Sequence, residues 1–210
     1  MIGILIDGAH IVSPGVIRYT LAASRIFSNP VVQVAYFYLG PGAQNETILS
    51  GYSQSVEDDL LESIQWPDDG YRLFEIGYPL KPGGMPANWF NKLFESNCFF
   101  MNKDIFNEIG GADLRFDLPG GGFLNQDILY QAASRDDTEI VQLIGEGSFH
   151  QYHGGTTTGE ALERLEAKVE EYRIQFRQIR GFDLSGLPKI QHFIGHLPNE
   201  ASKIHRRFRN

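Results

Sequence analysis

The segment 31–39 constrains the fold most, because its residues are β-branched, aromatic or apolar at every position but one. Asn29 and Pro30 precede it, and the turn formers Gly40, Pro41 and Gly42 follow it. A run of this length and composition is typical of a β-strand that is buried on both faces. The segment therefore predicts a strand that is covered on both faces.

The rest of the first 134 residues alternates between two periodicities, which predicts an α/β fold. Ile17, Leu21 and Ile26 stand near helical spacing and are expected to form the apolar face of the first helix. The predicted strands are 2–6 and 97–101, and the predicted helices are 16–27, 56–64, 103–109 and 126–134.

The C-terminal part predicts a long helix that ends near Gly181, after a capping-box spacing at Thr157 and Glu160. Its apolar residues recur three and four apart: Leu162, Leu165, Val169, Tyr172, Phe176 and Ile179. Packing of this seam on its own domain is favoured, and a homodimer through a coiled coil stays open. The basic tail beyond Pro188 is interpreted as a solvated terminus. We therefore divide the chain into 1–155 and 156–210.

Composition and net charge exclude some classes of function. The 210 residues are 42% hydrophobic and carry a net charge of −8, which favours one soluble domain and argues against nucleic-acid binding. An acidic protein is expected to hold a phosphate ligand with the help of a cation. The single cysteine, Cys98, indicates a reducing compartment, and no apolar run is long enough to span a bilayer. The expected location is cytoplasmic.

The first candidate site is a turn at the end of the first predicted strand, where Asp7 and His10 stand three residues apart. Ligands of open α/β sheets bind at the carboxyl ends of the strands. A carboxylate oxygen and an imidazole nitrogen suit Mn²⁺ or Mg²⁺ bridging a diphosphate. Asp-Gly is also a common turn, and for Asp7 taken alone the structural interpretation is favoured.

Two further clusters carry candidate ligands. The segment 146–155 contains His150 and His153 among glycines, and it is expected to be irregular; either histidine could instead satisfy a buried polar group. The segment 117–127 enters a helix through Gly120, Gly121 and Gly122, which can bind phosphate or simply form a turn. Asp127 in the first turn has the plain alternative of stabilising the helix dipole.

The order of these clusters resembles the GT-A glycosyltransferases, especially family two, over residues 2–155. Residues 6–15 resemble a strand that runs into a DxD-type metal motif and a Pro-Gly helix start. Residues 95–106 with 110–113 are similar to the acceptor-side strand, helix and turn, and 121–128 to the glycine-rich loop and acidic helix start. His153 stands where many members place a late metal-binding histidine.

The resemblance implies a mixed sheet flanked by helices, here without the family's first strands, and metal-dependent transfer from a nucleotide sugar, most simply a UDP-sugar. The acceptor, a sugar or a lipid, is unspecified. Asp7 and His153 would hold the metal, and His10 would be a third ligand because Ala9 occupies the second acidic position. Gly120, Gly121 and Gly122 would let substrate approach. Trp89 would stack on a sugar, although a lone tryptophan is more often a core residue.

The resemblance also implies catalytic positions at Asn125 and Asp127. Inverting members carry acidic residues before the final aspartate, where this chain has Leu124 and Asn125, and an amide cannot take a proton. Asp127 would serve as base, acceptor-positioning residue or helix cap, and a retaining mechanism stays open. Two rival functions are kept: a nucleotide-sugar-binding protein without turnover, and an interaction protein that uses the long helix.

Overall fold

The computed structural model describes residues 1–6, 8–79, 89, 92–153 and 162–200, with side chains of the last range from residue 164 onward. Asp7, Thr157, Glu160 and the basic residues of 203–209 lie outside this set. The helices are α1 (Val16–Ile26), α2 (Gln44–Thr47), α3 (Gln54–Ser63), α4 (Leu73–Ile76), α5 (Lys103–Glu108), α6 (Leu124–Ser134) and α7 (Leu162–Arg180). The strands are β1 (Ile2–Leu5), β2 (His10–Val12), β3 (Pro30–Leu39), β4 (Gly77–Pro79), β5 (Cys98–Met101), β6 (Glu139–His150) and β7 (Gln191–Gly195).

The seven strands form one mixed sheet in the order β1-β5-β3-β6-β2, with β4 beside β3 and β7 beside β6. The pairs β3–β6 and β6–β7 are parallel, and the other pairs are antiparallel. Helices flank this sheet, so the predicted α/β class is confirmed. The helices and strands that the sequence predicts are also present, with ends that differ by a few residues.

Strand β3 lies at the centre of the sheet and is buried along its length except at Tyr38. On one face, Val32 and Val34 pack with Val16 and Ala23 of α1. On the other face, Val31 packs with α6, while Phe37 belongs to an aromatic cluster with Phe74, Phe149 and Trp89. The prediction of a strand covered on both faces is confirmed, and the hydrophobic burial on the two faces is what holds the layers together.

Strand β6 corrects the expectation that 146–155 is irregular, because residues 146–150 continue this strand. The glycines serve packing within the sheet. Gly145 takes a φ of 73° next to a register shift against β3, and a Cβ on Gly147 would lie 2.9 Å from the Phe37 ring. Glycine here accommodates a bulge and a neighbouring ring, which a sequence pattern alone does not distinguish from a loop.

Helix α1 is confirmed, but its predicted apolar face is wrong. Ile17, Leu21 and Ile26 are 54%, 47% and 65% exposed, whereas Val16 and Ala23 are fully buried. The face that packs on the sheet carries the smaller side chains of Val16, Thr20 and Ala23 instead, and Val16 and Ala23 pack against β3. At the start of the helix, the backbone N–H of Gly15 donates to the buried carboxylate of Glu146 at 3.0 Å.

The C-terminal part packs on the same sheet. In α7, Tyr172 and Phe176 are buried against Phe123 and Phe116, and the Tyr172 hydroxyl donates to the carbonyl of Pro119 at 2.7 Å. The interpretation of the basic run 203–209 as a solvated terminus lies outside the described residues. Between Pro188 and that run the structure has a strand that was not predicted, β7, which lies parallel beside β6. Strand β7 has only five residues, QHFIG, and their weak apolar pattern does not predict a strand from the sequence.

Candidate functional site

A cluster of polar aromatic side chains lies on one face of the sheet, at the C-terminal ends of β3 and β6. Register places Tyr36 beside Ser148, Tyr38 beside His150, and His10 of β2 on the other side of His150. The His10 and His150 ring centroids are 5.0 Å apart, and Tyr36 meets His10 edge-on at 5.6 Å. The parallel pair β3–β6 therefore delivers its polar residues to the edge where α/β sheets bind ligands.

His150 is held in a defined tautomer. Its Nδ1 lies 2.7 Å from Gln44 Oε1, and Gln44 Nε2 donates to the His150 carbonyl at 3.2 Å. Because Gln44 presents its oxygen to the ring, Nδ1 carries the proton and Nε2 bears the lone pair. His150 Nε2 lies 2.9 Å from His153 Nε2. The two Nε2 atoms therefore face each other and share one hydrogen bond.

His10 completes the histidine cluster, the name used below for His10, His150 and His153. Its Nδ1 lies 2.7 Å from the Ser148 hydroxyl. Among the described residues, no group of three or more His, Cys, Asp or Glu side chains is arranged to hold a metal ion. Asp7 lies outside those residues. The two facing nitrogens of His150 and His153 offer two neutral donors, and a site for Mn²⁺ or Mg²⁺ would need oxygen ligands beside them.

The chain that carries His153 is fixed by a buried carboxylate. Glu57 of α3 is 3% exposed, accepts a hydrogen bond from the backbone N–H of Tyr152 at 2.7 Å, and accepts another from the Tyr52 hydroxyl at 3.0 Å. Burial raises the pKa of Glu57, and these hydrogen bonds work in the opposite direction. The N–H of Gln151 also donates to the carbonyl of Ala9 at 2.8 Å. His153 thus leaves the sheet from an anchored backbone.

Asp127 of α6 forms an ion pair with an arginine of α7. It is 1% exposed, and its two oxygens accept hydrogen bonds from Arg180 of α7 at 2.7 and 2.6 Å. Arg180 also contacts Asp113 at 3.1 Å, and Asp113 pairs with Arg115 at 2.6 Å. The hydrogen bond from Arg115 lowers the pKa of Asp113 to about 2. We call these four residues the charge network; it fastens α7 to α6.

Asn125 points to the end of the sheet. Its Nδ2 donates to the Ser96 carbonyl at 3.1 Å and to the Ser96 hydroxyl at 2.9 Å. Ser96 precedes β5, next to Asn97, whose carbonyl accepts a hydrogen bond from Ile6 at 3.0 Å. The start of α6 and the end of β1 therefore meet at one segment, which brings Asn125 to the edge where β1 ends.

The remaining predicted binding residues have structural partners. Gly120, Gly121 and Gly122 all take positive φ, and a Cβ on Gly122 would lie 2.9 Å from Gln175 Oε1 of α7. Backbone conformation alone accounts for these glycines. Trp89 is 7% exposed in the aromatic cluster, and its Nε1 donates to the Glu146 carbonyl at 3.0 Å. Trp89 is therefore a core residue, which was the alternative to its stacking on a sugar.

Several residues of the site were missed in the sequence. Tyr36 and Tyr38 were assigned only to a strand, although hydroxyl-bearing residues two apart at a strand end are a signal that could have been used. Gln44 and Glu57 carried no such signal. Glu57 stands in the run Glu57, Asp58, Asp59, where a solvated helix face is the ordinary interpretation.

Comparison with known proteins gives no match: neither a protein-family model, nor a curated protein, nor a solved structure is significantly similar to the chain. Within the part of the chain that the structure describes, none of the helices has the length and apolar character needed to cross a membrane.

Proposed function

We propose that the chain is a metal-dependent glycosyltransferase that takes a sugar from a nucleotide diphosphate sugar, most simply a UDP-sugar, and that the histidine cluster lies at its donor site. The observation that carries this proposal is the convergence of His10, His150 and His153 at the C-terminal end of two parallel strands. Asp7 and His153 would hold Mn²⁺ or Mg²⁺, with His10 as a further ligand. His150 joins them in this proposal because its Nε2 faces that of His153.

The charge balance of the chain supports a cation. With a net charge of −8, the protein has little basic surface with which to attract a diphosphate directly. Neutral imidazoles at the sheet edge accept a divalent ion without adding negative charge, so the bound ion keeps a positive field for phosphate oxygens. When bound, the cation would neutralise the charge that develops on the departing diphosphate.

Titration calorimetry with UDP tests the proposal. We expect binding that requires Mn²⁺ or Mg²⁺, and we expect Asp7→Ala and His153→Ala each to weaken it by about tenfold or more, as loss of a direct ligand should. His192→Ala is the matched control, because His192 is an exposed histidine on β7. UDP binding that does not depend on the cation, or a His153→Ala variant that binds UDP as tightly as the parent, would contradict the proposal.

A second candidate is a nucleotide-sugar-binding protein without turnover. It is favoured by the Arg180 pair that occupies Asp127, because this carboxylate is then not available to accept a proton, and by the amide of Asn125, which cannot take a proton in any case. Release of UDP from a panel of UDP-sugars separates the two functions. Cation-dependent UDP binding without any such release would favour the second candidate.

A further inference from the structure

Helix α1 turns its large apolar side chains away from the protein. Ile17, Leu21 and Ile26 are exposed, while the smaller Val16 and Ala23 pack on the sheet. A single exposed leucine or isoleucine is ordinary on a protein surface. A helix that buries its small side chains and exposes three large ones instead presents a continuous apolar area, which is typical of a contact surface.

Two arginines stand on the same side of this helix. Arg18 and Arg25 are seven residues apart, close to two helical turns, and Leu21 lies between them at spacings of three and four. Both arginines are exposed, and α1 contains no Asp or Glu. Among the described residues, neither arginine forms an ion pair. We call the exposed side made by these three residues with Ile17 and Ile26 the α1 surface.

The edge strand β1 adds apolar area to the same face of the sheet. Leu5 stands opposite Cys98 of β5, and Gly3 stands opposite Phe100. Cys98 and Phe100 pack with α1, and residues directly opposite each other on paired strands point to the same face. The side chain of Leu5 therefore lies on the face that carries α1, where it is exposed.

The histidine cluster lies on this face as well. Val34 packs with α1, and Tyr36 follows two residues later on β3, so the two side chains point to one face. Tyr36 meets the ring of His10 edge-on and stands opposite Ser148, whose hydroxyl lies 2.7 Å from His10 Nδ1. A partner bound at the α1 surface would therefore lie over the same face of the sheet as the histidine cluster.

The chain after β7 runs beside α1 before the basic run begins. The Tyr19 hydroxyl of α1 lies 2.6 Å from His196 Nδ1. The run 203–209 contains four lysines and arginines and starts seven residues after His196. An extended chain spans at most about 3.6 Å per residue, so the first of these residues lies within about 25 Å of His196. The basic run is thus within reach of the α1 surface.

We propose that the α1 surface is a membrane-contact site that takes the surface of a bilayer containing anionic lipids. The apolar side chains enter the boundary between headgroups and acyl chains, and the arginines meet the phosphates and carboxylates of the headgroups. The attraction is local to this side, because the whole chain carries a net charge of −8. The inference rests on α1 and its neighbours and does not depend on the proposed transfer reaction.

A second copy of the chain fits the α1 surface less well. Contact of this surface with itself would bring Arg18 and Arg25 of both copies together, and α1 has no carboxylate to pair with them. An anionic bilayer supplies both partners that the surface lacks, which are negative charge for the arginines and an apolar phase for the side chains around them.

Co-sedimentation of the full chain with vesicles tests the site. One set of vesicles is phosphatidylcholine alone, and the other contains phosphatidylserine as well. We expect binding to the second set only, and weaker binding as salt is added. Arg18→Gln and Arg25→Gln should each lower the partition coefficient about fivefold. Leu21→Gln should lower it about tenfold, because the apolar contact with the bilayer is lost.

Matched controls are Arg173→Gln on α7 and Leu114→Gln, which change an exposed arginine and an exposed leucine elsewhere. Both should bind like the parent, and circular dichroism checks the fold of every variant. Equal binding of the parent to the two sets of vesicles, or binding to neither, would overturn the proposal. A loss confined to the arginine variants would show a polyanion patch instead, and a loss confined to Arg206→Gln would assign the contact to the basic run. A dimer in light scattering that Leu21→Gln dissociates would show that a second copy covers the surface.

Discussion

Two regions of this molecule hold carboxylates in opposite ways. In the charge network, Asp127 and Asp113 face the guanidinium groups of Arg180 and Arg115. At the end of the sheet, Glu57 and Glu95 accept hydrogen bonds from amides and a hydroxyl. The pKa of Asp113 is lowered by its Arg115 hydrogen bond, while burial raises the pKa of Glu57 and of Glu95. One region attaches a helix through ion pairs, and in the other, burial raises the pKa of its carboxyls.

This difference teaches where to look for chemistry in the chain. A carboxylate locked by a bidentate arginine stays ionised and immobile, which stabilises structure but leaves no capacity to accept a proton. A buried carboxyl without such a partner is costly to keep ionised, so its pKa rises, as it does for Glu57 and Glu95. The difference thus argues against Asp127 as the proton acceptor of the proposed transfer.

The largest effect is expected on breaking the Arg180–Asp127 pair. Arg180→Met leaves Asp127 buried and unpaired, and we expect a loss of about 3 kcal/mol or more in the free energy of unfolding. Arg177→Met is the matched control on the same helix, because Arg177 and Asp183 are 56% and 67% exposed and such pairs contribute about 1 kcal/mol or less. Urea denaturation of the three proteins measures both.

Two outcomes would blur the distinction between the regions. If Arg180→Met were as stable as Arg177→Met, the charge network would not be what attaches α7. If Arg180→Met kept its stability but changed UDP affinity, Asp127 would belong to the ligand site, as the resemblance to GT-A enzymes implies.

The next effect concerns Glu95 and the pH dependence of stability. Because the folded-state pKa is about 7, above the ordinary value of 4.5, the native state keeps a proton that the unfolded chain has already released. The stabilising contribution is complete below pH 4.5 and is lost as the pH rises to 7. We expect Glu95→Gln to abolish a loss of about 3 kcal/mol over this window, measured by urea denaturation at a series of pH values. Equal slopes in parent and variant would contradict this.

The sequence predicted the layered fold because the strongest patterns are local. The buried run 31–39 and the helical periodicities are read from neighbouring residues, and the structure has them at β3, α3, α5 and α6. The rotation of α1 could not be predicted, because its buried face is decided by packing against strands that are distant in the sequence, such as β5 and β6. For the same reason β7 was missed: its hydrogen bonds go to β6, and its own five residues carry little pattern.

The site was predicted in part. His10 and His153 were singled out by residue type, and the structure brings both next to His150. Asn125 donates a hydrogen bond to Ser96, which lies at the same end of the sheet. Trp89 instead lies in the core, and Asp127 belongs to the charge network. Glu57 and Glu95 escaped notice because burial of a glutamate is decided by the tertiary structure around it, which no local spacing encodes.

The smallest expected effect has the opposite pH dependence and so sharpens the comparison. The pKa of Asp113 is lowered from 3.8 to about 2, so its contribution is present above pH 3.8 and is lost as the pH falls toward 2. Because the side chain of Arg115 is 62% exposed, solvent screening should limit the contribution to about 1 kcal/mol or less. Asp113→Asn should remove this acid-side loss, with Asp58→Asn on the exposed face of α3 as the control.

Addition of 1 M salt should weaken the Asp113 effect, which is an attraction between charges near solvent. Salt should leave the Glu95 effect in place, since desolvation of a buried group is not screened by ions. Denaturation at pH 2 to 4 and at pH 4.5 to 7, each at low and high salt, would show whether the two regions respond separately. A common response to salt would mean that the end of the sheet is governed by the same surface electrostatics as the charge network, and the distinction between an attaching region and a proton-holding region would fail.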